Sequence, residues 1–584
     1  MAHAISDARK CQSPLSKLNI YTIYCTVAST KIVATIGPSS FQRGALISMY
    51  GNGLSTVRIN TAHITPGYIG KVAGLVSQLN SETGKHVGIM VDLKGPELRT
   101  GQFPGGQLNV VTGQQFKVGI NNDGTITFSH PEIYDILTQK DLILLSDGKV
   151  RMRVVSKSED GLVLESMDDG SLRDRSRVNV PGRFLPLGNL TDRDISYLKE
   201  GIQAKVDMFA LSFVQRKEDV EELQEIIMKE GGDQFIVSKI ETKNGFQNIR
   251  DIAKVSDFIM VARGDLGVEL PLKEVAIAQK KIIEESHMQG VPTIVATQML
   301  ESMVKSSSPT RAEVSDVTNA IMDNTDALML SEESSIGEYP DLAVKYLKDI
   351  AEYVESKNVH LVEPEEFLGN QVAYSIARAA KMISMEINAD AILAFTKTGN
   401  TAKMLAAVRP RVPIIATVTS ERLARKLNLY RGVEPLVIDG GNEDIDPVEA
   451  LSYVEKETFL KRGDRVIITS GAPYFLFGGT NEVRVATVGN FVGRGYPAGK
   501  SLTGKAFTEK SGKGDILVLD TQEMPAGIKL EKLKAVIFIP NISTKLKESI
   551  REKGVTVLSN TRLSGHINPG DILHIDGSTG VITQ

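Results

Sequence analysis

Charged and hydroxyl side chains recur at the ends of short apolar runs, and their types suit one kind of chemistry. Arg58 and Asn60 close STVRIN (55–60), and Asp92 sits near the end of HVGIMVDL (86–93), with Lys94 just beyond. Lys239 and Glu241 lie at the end of FIVSKI (235–240), and Arg263, Gly264 and Asp265 follow FIMVA (258–262). Thr297 and Gln298 end TIVATQ (293–298), while Ser331 ends ALMLS (327–331), with Glu333 two residues on. Charges at the ends of buried strands are costly unless they are paired or bound to metal. Glu241 and Asp265, with Gly264 permitting close backbone approach, make a hard oxygen site suited to Mg2+ or Mn2+ with coordination positions left for substrate. Arg58, Arg99 and Lys239 supply the complement for phosphate, arginine as a fork and lysine as a point charge. Oxygen ligands, arginines and a lysine on one rim are the equipment of phosphoryl transfer, where positioning and charge neutralisation do most of the work.

Eight runs must hold those residues: KIVATIG (31–37), STVRIN (55–60), HVGIMVDL (86–93), MFALSFV (208–214), FIVSKI (235–240), FIMVARG (258–264), TIVATQ (293–298) and ALMLS (327–331). Near-continuous apolar runs suit parallel strands buried on both faces. Between them lie amphipathic stretches at 218–231 and 273–290, the second ending at Gly290 with Pro292 beyond, a helix stop signal. Eight strand-plus-helix units predict a closed (β/α)8 barrel rather than a doubly wound open sheet, with its chemistry at the C-terminal strand ends.

The third and fourth runs are too far apart for a strand-to-helix connection. The intervening segment alternates apolar and polar residues between Gly/Asp turns, predicting a small inserted β-barrel that lands above the active face as a lid. The expected organisation is an N-terminal extension (1–28), a catalytic barrel (29–95 and 183–355), a lid (96–182), an α/β domain (356–488) and a further domain (489–584).

Composition narrows the class. A formal charge of −4 on 584 residues argues against nucleic-acid or acidic-membrane partners. Cys11 and Cys25 are the only cysteines, which excludes a disulfide framework and a CxxC zinc site and predicts a cytoplasmic protein. Ile20–Ala28 is apolar but short and interrupted by polar residues, unlike a signal peptide or membrane span. GKS at 499–501 is not a phosphate loop, because Arg494 stands where the first glycine is required.

Over residues 30–487 the chain resembles pyruvate kinase, on KIVATIGPSS (31–40), VRIN (57–60), DLKGPELRTG (92–101), SKIET (238–242), IMVARGDLGVEL (259–270), IVATQMLESM (294–303), PTRAEVSDVTNAI (309–321) and LSEESSIGEYP (330–340). The resemblance implies transfer of the phosphoryl group of phosphoenolpyruvate to ADP, the last step of glycolysis. It implies Glu241 and Asp265 as ligands of the divalent ion, Lys239 beside the migrating phosphoryl group, and Arg58 on the phosphate. It puts the substrate carboxylate on the backbone of Gly264 and Asp265 and on Thr297, and implies proton delivery by Thr297 and Ser331. Asn60, Thr61, Ala62, His63 and Arg99 would face the nucleotide, with a second Mg2+ arriving with ADP. A K+ ion would be held by Asn60, Asp92 and the carbonyl of Leu93, and the assembly would be a homotetramer.

Several positions depart from the family pattern. Ala62 replaces a serine ligand of K+, which predicts K+ activation with weakened affinity. Ser176 replaces the nucleotide-contacting lysine and Arg177 the glycine after it, so Arg177 or Arg175 is expected to take over. Glu332 adds a charge beside the retained Glu333. The turn Thr396–Thr401, between a strand and a helix, is a candidate pocket for a phosphorylated effector. Residues 489–584 resemble the phosphohistidine domain of phosphoenolpyruvate-using enzymes, which implies a swivel-like α/β domain, but the matching segment NISTKLKESI (541–550) has no histidine, so no phosphohistidine relay is expected. A metal-dependent lyase of oxo acids on the same barrel is the rival enzyme reading, and a catalytically dead scaffold the non-enzyme one.

Overall fold

The eight runs form eight parallel strands: β1 (Lys31–Thr35), β2 (Thr56–Asn60), β3 (Gly88–Leu93), β4 (Met208–Leu211), β5 (Phe235–Ile240), β6 (Phe258–Ala262), β7 (Thr293–Ala296) and β8 (Ala327–Leu330). In this computed structural model each strand pairs with its sequence neighbours and β8 returns to β1, closing the barrel. The residues described are 29–119, 124–158, 161–185, 188–357, 366–438, 447–471, 479–489, 491–509, 511, 513–563 and 566–584. The expected N-terminal extension (1–28) lies outside them.

Period-two alternation explains how one sequence fills the barrel and arms its rim. Ile89, Val91 and Leu93 face outward into the layer between strands and helices, with Ile59, Val261 and Leu328. Met90, Val237, Phe258, Met260, Ile294 and Met329 face inward and pack as a filled interior. That interior continues without a break into the α/β domain below, where the Tyr430 ring lies 4.8 Å from that of Phe258. The outer helices follow their signals. The helix Arg311–Met322 opens on a capping box between Thr310 and Glu313. The helix Leu272–Met288 stops two residues before Gly290, whose φ of 69° suits the left-handed turn beyond a helix end.

The lid follows β3. It contains a five-stranded antiparallel sheet and a two-stranded ribbon (Gln107–Val110 with Gly170–Arg173) around their own core of Phe116, Ile143, Met152 and Leu164. The α/β domain has strands ordered Val433–Val437, Ile414–Val418, Ala391–Phe395, Arg465–Ser470 and Glu482–Thr487, the last antiparallel. Buried ion pairs fix it to the barrel floor: Arg409 to Asp326 at 3.0 Å, Arg425 to Asp207 at 3.0 Å, and Arg431 to Glu355 at 2.8 Å. The last domain is a seven-stranded closed barrel of mixed direction with one longer helix, Thr544–Glu552, capped by Ser543. No helix among the described residues is long and apolar enough to cross a membrane.

Candidate active site

On β5, Val237 points into the barrel, so Lys239 and Glu241 follow on the same face, each one row nearer the C-terminal rim. On β3 the same rule carries Met90 to Asp92, and on β2 it carries Arg58 inward in register with Met90. These alternations bring together residues far apart in sequence. Lys239 Nζ lies 3.1 Å from Asp92 Oδ1, 3.0 Å from Glu241 Oε1, and donates to Ser212 Oγ at 2.7 Å. Arg58 holds the other oxygen of Asp92 with Nη2 at 2.6 Å and Nε at 2.8 Å, and donates to Thr35 Oγ1 at 2.8 Å. All four charged groups are nearly inaccessible to water.

The second carboxylate comes from the turn after β6. Asp265 is in the first turn of the helix Arg263–Glu269 and accepts from Arg177 Nη1, on the lid, at 2.5 Å. The cluster therefore sets three acids, Asp92, Glu241 and Asp265, against three bases, Arg58, Lys239 and Arg177. Burial alone would raise all three acids. Asp92 is instead held low by Lys239 and Arg58, and Asp265 by Arg177 and Lys239. Glu241 is different: burial pushes it up to about 7 against the pull of Lys239, with Asp265 adding to the rise. Lys239 would be lowered by burial but is held above its ordinary value by Asp92 and Glu241.

Glu241 and Asp265 thus form a carboxylate pair short of positive charge, and a lid guanidinium already sits on one of them as a stand-in cation. That chemistry fits a hard divalent ion. Among the described residues no group of three or more His, Cys, Asp or Glu forms a self-sufficient metal cage. An ion held by two protein carboxylates keeps its other positions for water and substrate.

The remaining rim residues meet across β6, β7 and β8. Thr297, at a φ of 69°, accepts from the Gly264 N–H at 2.9 Å and donates to the Ala296 carbonyl at 2.6 Å. Arg263 binds Asp316 with both carboxylate oxygens and donates to the Thr297 carbonyl at 2.7 Å, supporting that strained turn. Buried Glu333 accepts from Ser331 N at 2.7 Å and Leu300 N at 3.1 Å, tying the loops after β7 and β8 together.

Of the residues expected to face a nucleotide, Asn60 caps the turn Thr61–His63 by accepting from Ala62 N at 3.1 Å, and His63 is exposed. Arg99 is turned to Glu97 and to the Arg175 carbonyl. The three expected K+ ligands lie in one corner, Asn60 opposite Asp92 in the β2–β3 register, and the Leu93 carbonyl accepts from Ser212 at 2.8 Å. The turn Thr396–Thr401 lies apart, in the α/β domain. There Thr396 Oγ1 accepts from Gly399 N and Thr401 bonds Thr480.

Thr35, Ser212 and Phe213 were not singled out from sequence as contributors to the site. Ser212 was findable: it continues the inward row of Met208 and Ala210. Phe213 contributes its N–H to Glu241 at 2.8 Å and its ring to Arg177, neither of which residue type reveals.

A (β/α)8 barrel with an inserted lid, a buried lysine between carboxylates and arginines at hand defines a phosphoryl-transferring barrel enzyme. Residues 27–344 match "Pyruvate kinase, barrel domain" and residues 374–486 match "Pyruvate kinase, alpha/beta domain". The chain is 50% identical over 553 residues to the pyruvate kinase of Thermoplasma acidophilum, covering 95% of this chain and 98% of that one. It is 36% identical over 465 residues to the pyruvate kinase of Thermotoga maritima, covering 79% of this chain and 99% of that one. A crystal structure of a pyruvate kinase from Cryptosporidium parvum superposes with a TM-score of 0.72 at 31% identity, covering 79% of this chain and 96% of that one. The chain belongs to the pyruvate kinase family, whose activity is phosphoryl transfer from phosphoenolpyruvate to ADP.

Proposed function

We propose that the chain performs this transfer at the barrel rim with Lys239, Arg58, Glu241 and Asp265 as its working groups. The observation that carries the assignment is Lys239 itself: a buried ammonium held between Asp92 and Glu241, one row below the mouth and beside the Asp265 turn. Glu241 and Asp265 would hold Mg2+ or Mn2+, which supplies charge neutralisation to the phosphate and carboxylate oxygens of the substrate. Arg58 has one guanidinium edge locked to Asp92, and holds the phosphate from a fixed base. Lys239 lies beside the equatorial oxygens of the migrating PO3 unit and stabilises it most as charge spreads over them. The N–H groups of Gly264 and Asp265 and the Thr297 hydroxyl receive the substrate carboxylate. After transfer, the enolate takes a proton at its terminal carbon. Thr297 and Ser331 deliver it through water, because an isolated hydroxyl is too weak an acid to act directly.

The nucleotide phosphates face Asn60, Thr61, Ala62, His63, Arg99 and Arg177. A K+ ion at Asn60, Asp92 and the Leu93 carbonyl assists, bound weakly because Ala62 offers no side-chain oxygen. Exposed Val372, Met382 and Met385 on the helix Gln371–Glu386, with Leu272 and Ile277 on Leu272–Met288, give apolar faces consistent with a homotetramer. A phosphorylated effector binds at Thr396–Thr401, where Gly399 adopts a φ of 92° to start the helix Asn400–Ala407. Residues 489–584, akin to a phosphohistidine domain, serve structure or assembly rather than a phosphohistidine relay. His574 is bonded to Thr503 at 3.0 Å inside a strand and exposed His566 follows the strand Thr556–Leu563, neither in the position of a relay histidine. The enzyme works in the cytoplasm.

A coupled assay tests the whole reading: phosphoenolpyruvate, ADP and Mg2+ should give pyruvate and ATP in equal amounts. Pyruvate formed without ADP would favour the lyase reading, and no turnover of either kind would favour a scaffold.

A further inference from the structure

Arg177 stands where the family pattern has glycine, and its contacts are not those of a surface arginine. Its backbone is fixed in the lid: its carbonyl accepts from Ser146 N at 3.0 Å, and it bridges to Arg99. Its side chain leaves the lid for the barrel. Nη1 reaches Asp265 at 2.5 Å and Asp147 at 3.8 Å, the guanidinium lies 5.0 Å over the Phe213 ring, and Nη2 is buried with no partner. Two residues on, Asn179 Nδ2 donates to Glu269 Oε1 at 2.9 Å. Arg177 and Asn179 share a face of an extended segment, and Asp265 and Glu269 are one helical turn apart on Arg263–Glu269. The two periods match, so the lid is strapped to the barrel at two points. One of those points is a carboxylate that the proposed divalent ion must use.

We propose that Arg177 is a metal-displaced latch. Without the ion its guanidinium neutralises Asp265 and holds the lid strand on the barrel. When a divalent ion binds Glu241 and Asp265, the ion takes over that charge, the arginine lets go, and its fork, with Nη2 already unpaired, is freed for the nucleotide phosphates, whose charge the uncharged Ser176 cannot neutralise. Asn179–Glu269 remains as the half of the strap that the ion does not contest. Arg177 thus couples metal binding to the lid and then to the nucleotide; this rests on the assignment of Glu241 and Asp265 to the metal.

Mn2+ binding to the full chain, read from the free-ion electron paramagnetic resonance signal without substrates, is combined with amide hydrogen exchange of residues 176–182. In the wild type, saturating Mn2+ should speed exchange of this lid segment. Arg177→Gly should exchange fast with or without Mn2+ and bind the ion about fivefold more tightly, the factor expected when one partly exposed ion pair need no longer be broken. Arg177→Lys, which keeps charge without the fork, should fall between and covers the chance that the glycine variant folds poorly. If Mn2+ binds the wild type with Glu241-dependent affinity yet leaves lid exchange and the Arg177 variants' affinity unchanged, the latch is overturned and the metal site stands. If Glu241→Gln and Asp265→Asn leave Mn2+ binding untouched, the metal assignment fails and the latch with it.

Discussion

Lys239→Met removes the one cation that touches both Asp92 and Glu241, with little change in side-chain length. At 3.0 Å and an effective permittivity of about 20, each of its two ion pairs represents about 5 kcal/mol of attraction before desolvation is subtracted. Measured losses on breaking a buried pair are about 3–5 kcal/mol, because the surviving charges stay buried. In the ground state much of that is recovered, since Glu241 can take up a proton or a metal ion. In the transition state it is not: about 4 kcal/mol of lost stabilisation at the migrating phosphoryl group is about a thousandfold in rate. Steady-state kinetics should therefore show kcat reduced about a thousandfold, while KM for phosphoenolpyruvate changes severalfold at most because the phosphate contact proposed for Arg58 is left in place. Circular dichroism and melting with and without Mg2+ check the fold. A well-folded variant within tenfold of wild-type kcat would refute the role given to Lys239.

Further consequences follow from neighbouring contacts. Replacing K+ by a large inert cation should lower the rate, and Ala62→Ser should lower the K+ concentration for half-activation; undiminished activity without K+ would remove that site. Glu333→Ala frees the N–H groups of Leu300 and Ser331 and should cost about 1–3 kcal/mol of stability by denaturant titration, with a ten- to hundredfold fall in kcat. The floor pair Arg409–Asp326 sets an acid limit. Burial would raise Asp326, but Arg409 and His287 hold it well below the usual carboxylate range. Its folded pKa being depressed, its contribution is complete above the unfolded value of about 4 and declines as pH falls below it. The stability gap between wild type and Asp326→Asn should narrow from pH 7 to pH 3; a gap that widens would reverse the sign assigned.

The barrel was readable because strands buried on both faces leave continuous apolar runs. FIVSKI became β5 to the residue, five runs overshot where the rim turns begin, and STVRIN and HVGIMVDL began one and two residues early, at Ser55 and His86. The helix stop at Gly290 was readable too, since glycine there answers a local backbone need. Lys239, Glu241 and Asp92 could be placed on the rim because period two fixes their face once Val237 and Met90 are known to be inside. What sequence could not supply were contacts between elements with no shared period. Arg177 meets Asp265 across 88 residues and two domains, and only the placing of the lid decides that. Glu333 could be matched to the family pattern, but its clamp on two loops depends on where two backbones end in space. The last domain was expected to be α/β only through its resemblance to a phosphohistidine domain, and its closure into a seven-stranded barrel rests on antiparallel pairings such as Leu502 with Ile575 that no local pattern announces.

The most direct probe of the site is the phosphorus–manganese distance in the complex of Mn2+ and phosphoenolpyruvate with this protein, from the hyperfine coupling of 31P to the bound ion. Phosphorus one oxygen away from an ion held by Glu241 and Asp265 is the predicted result, with the coupling abolished in Glu241→Gln and Asp265→Asn but kept in Lys239→Met. The same coupling in all three variants would mean that the substrate meets its metal elsewhere.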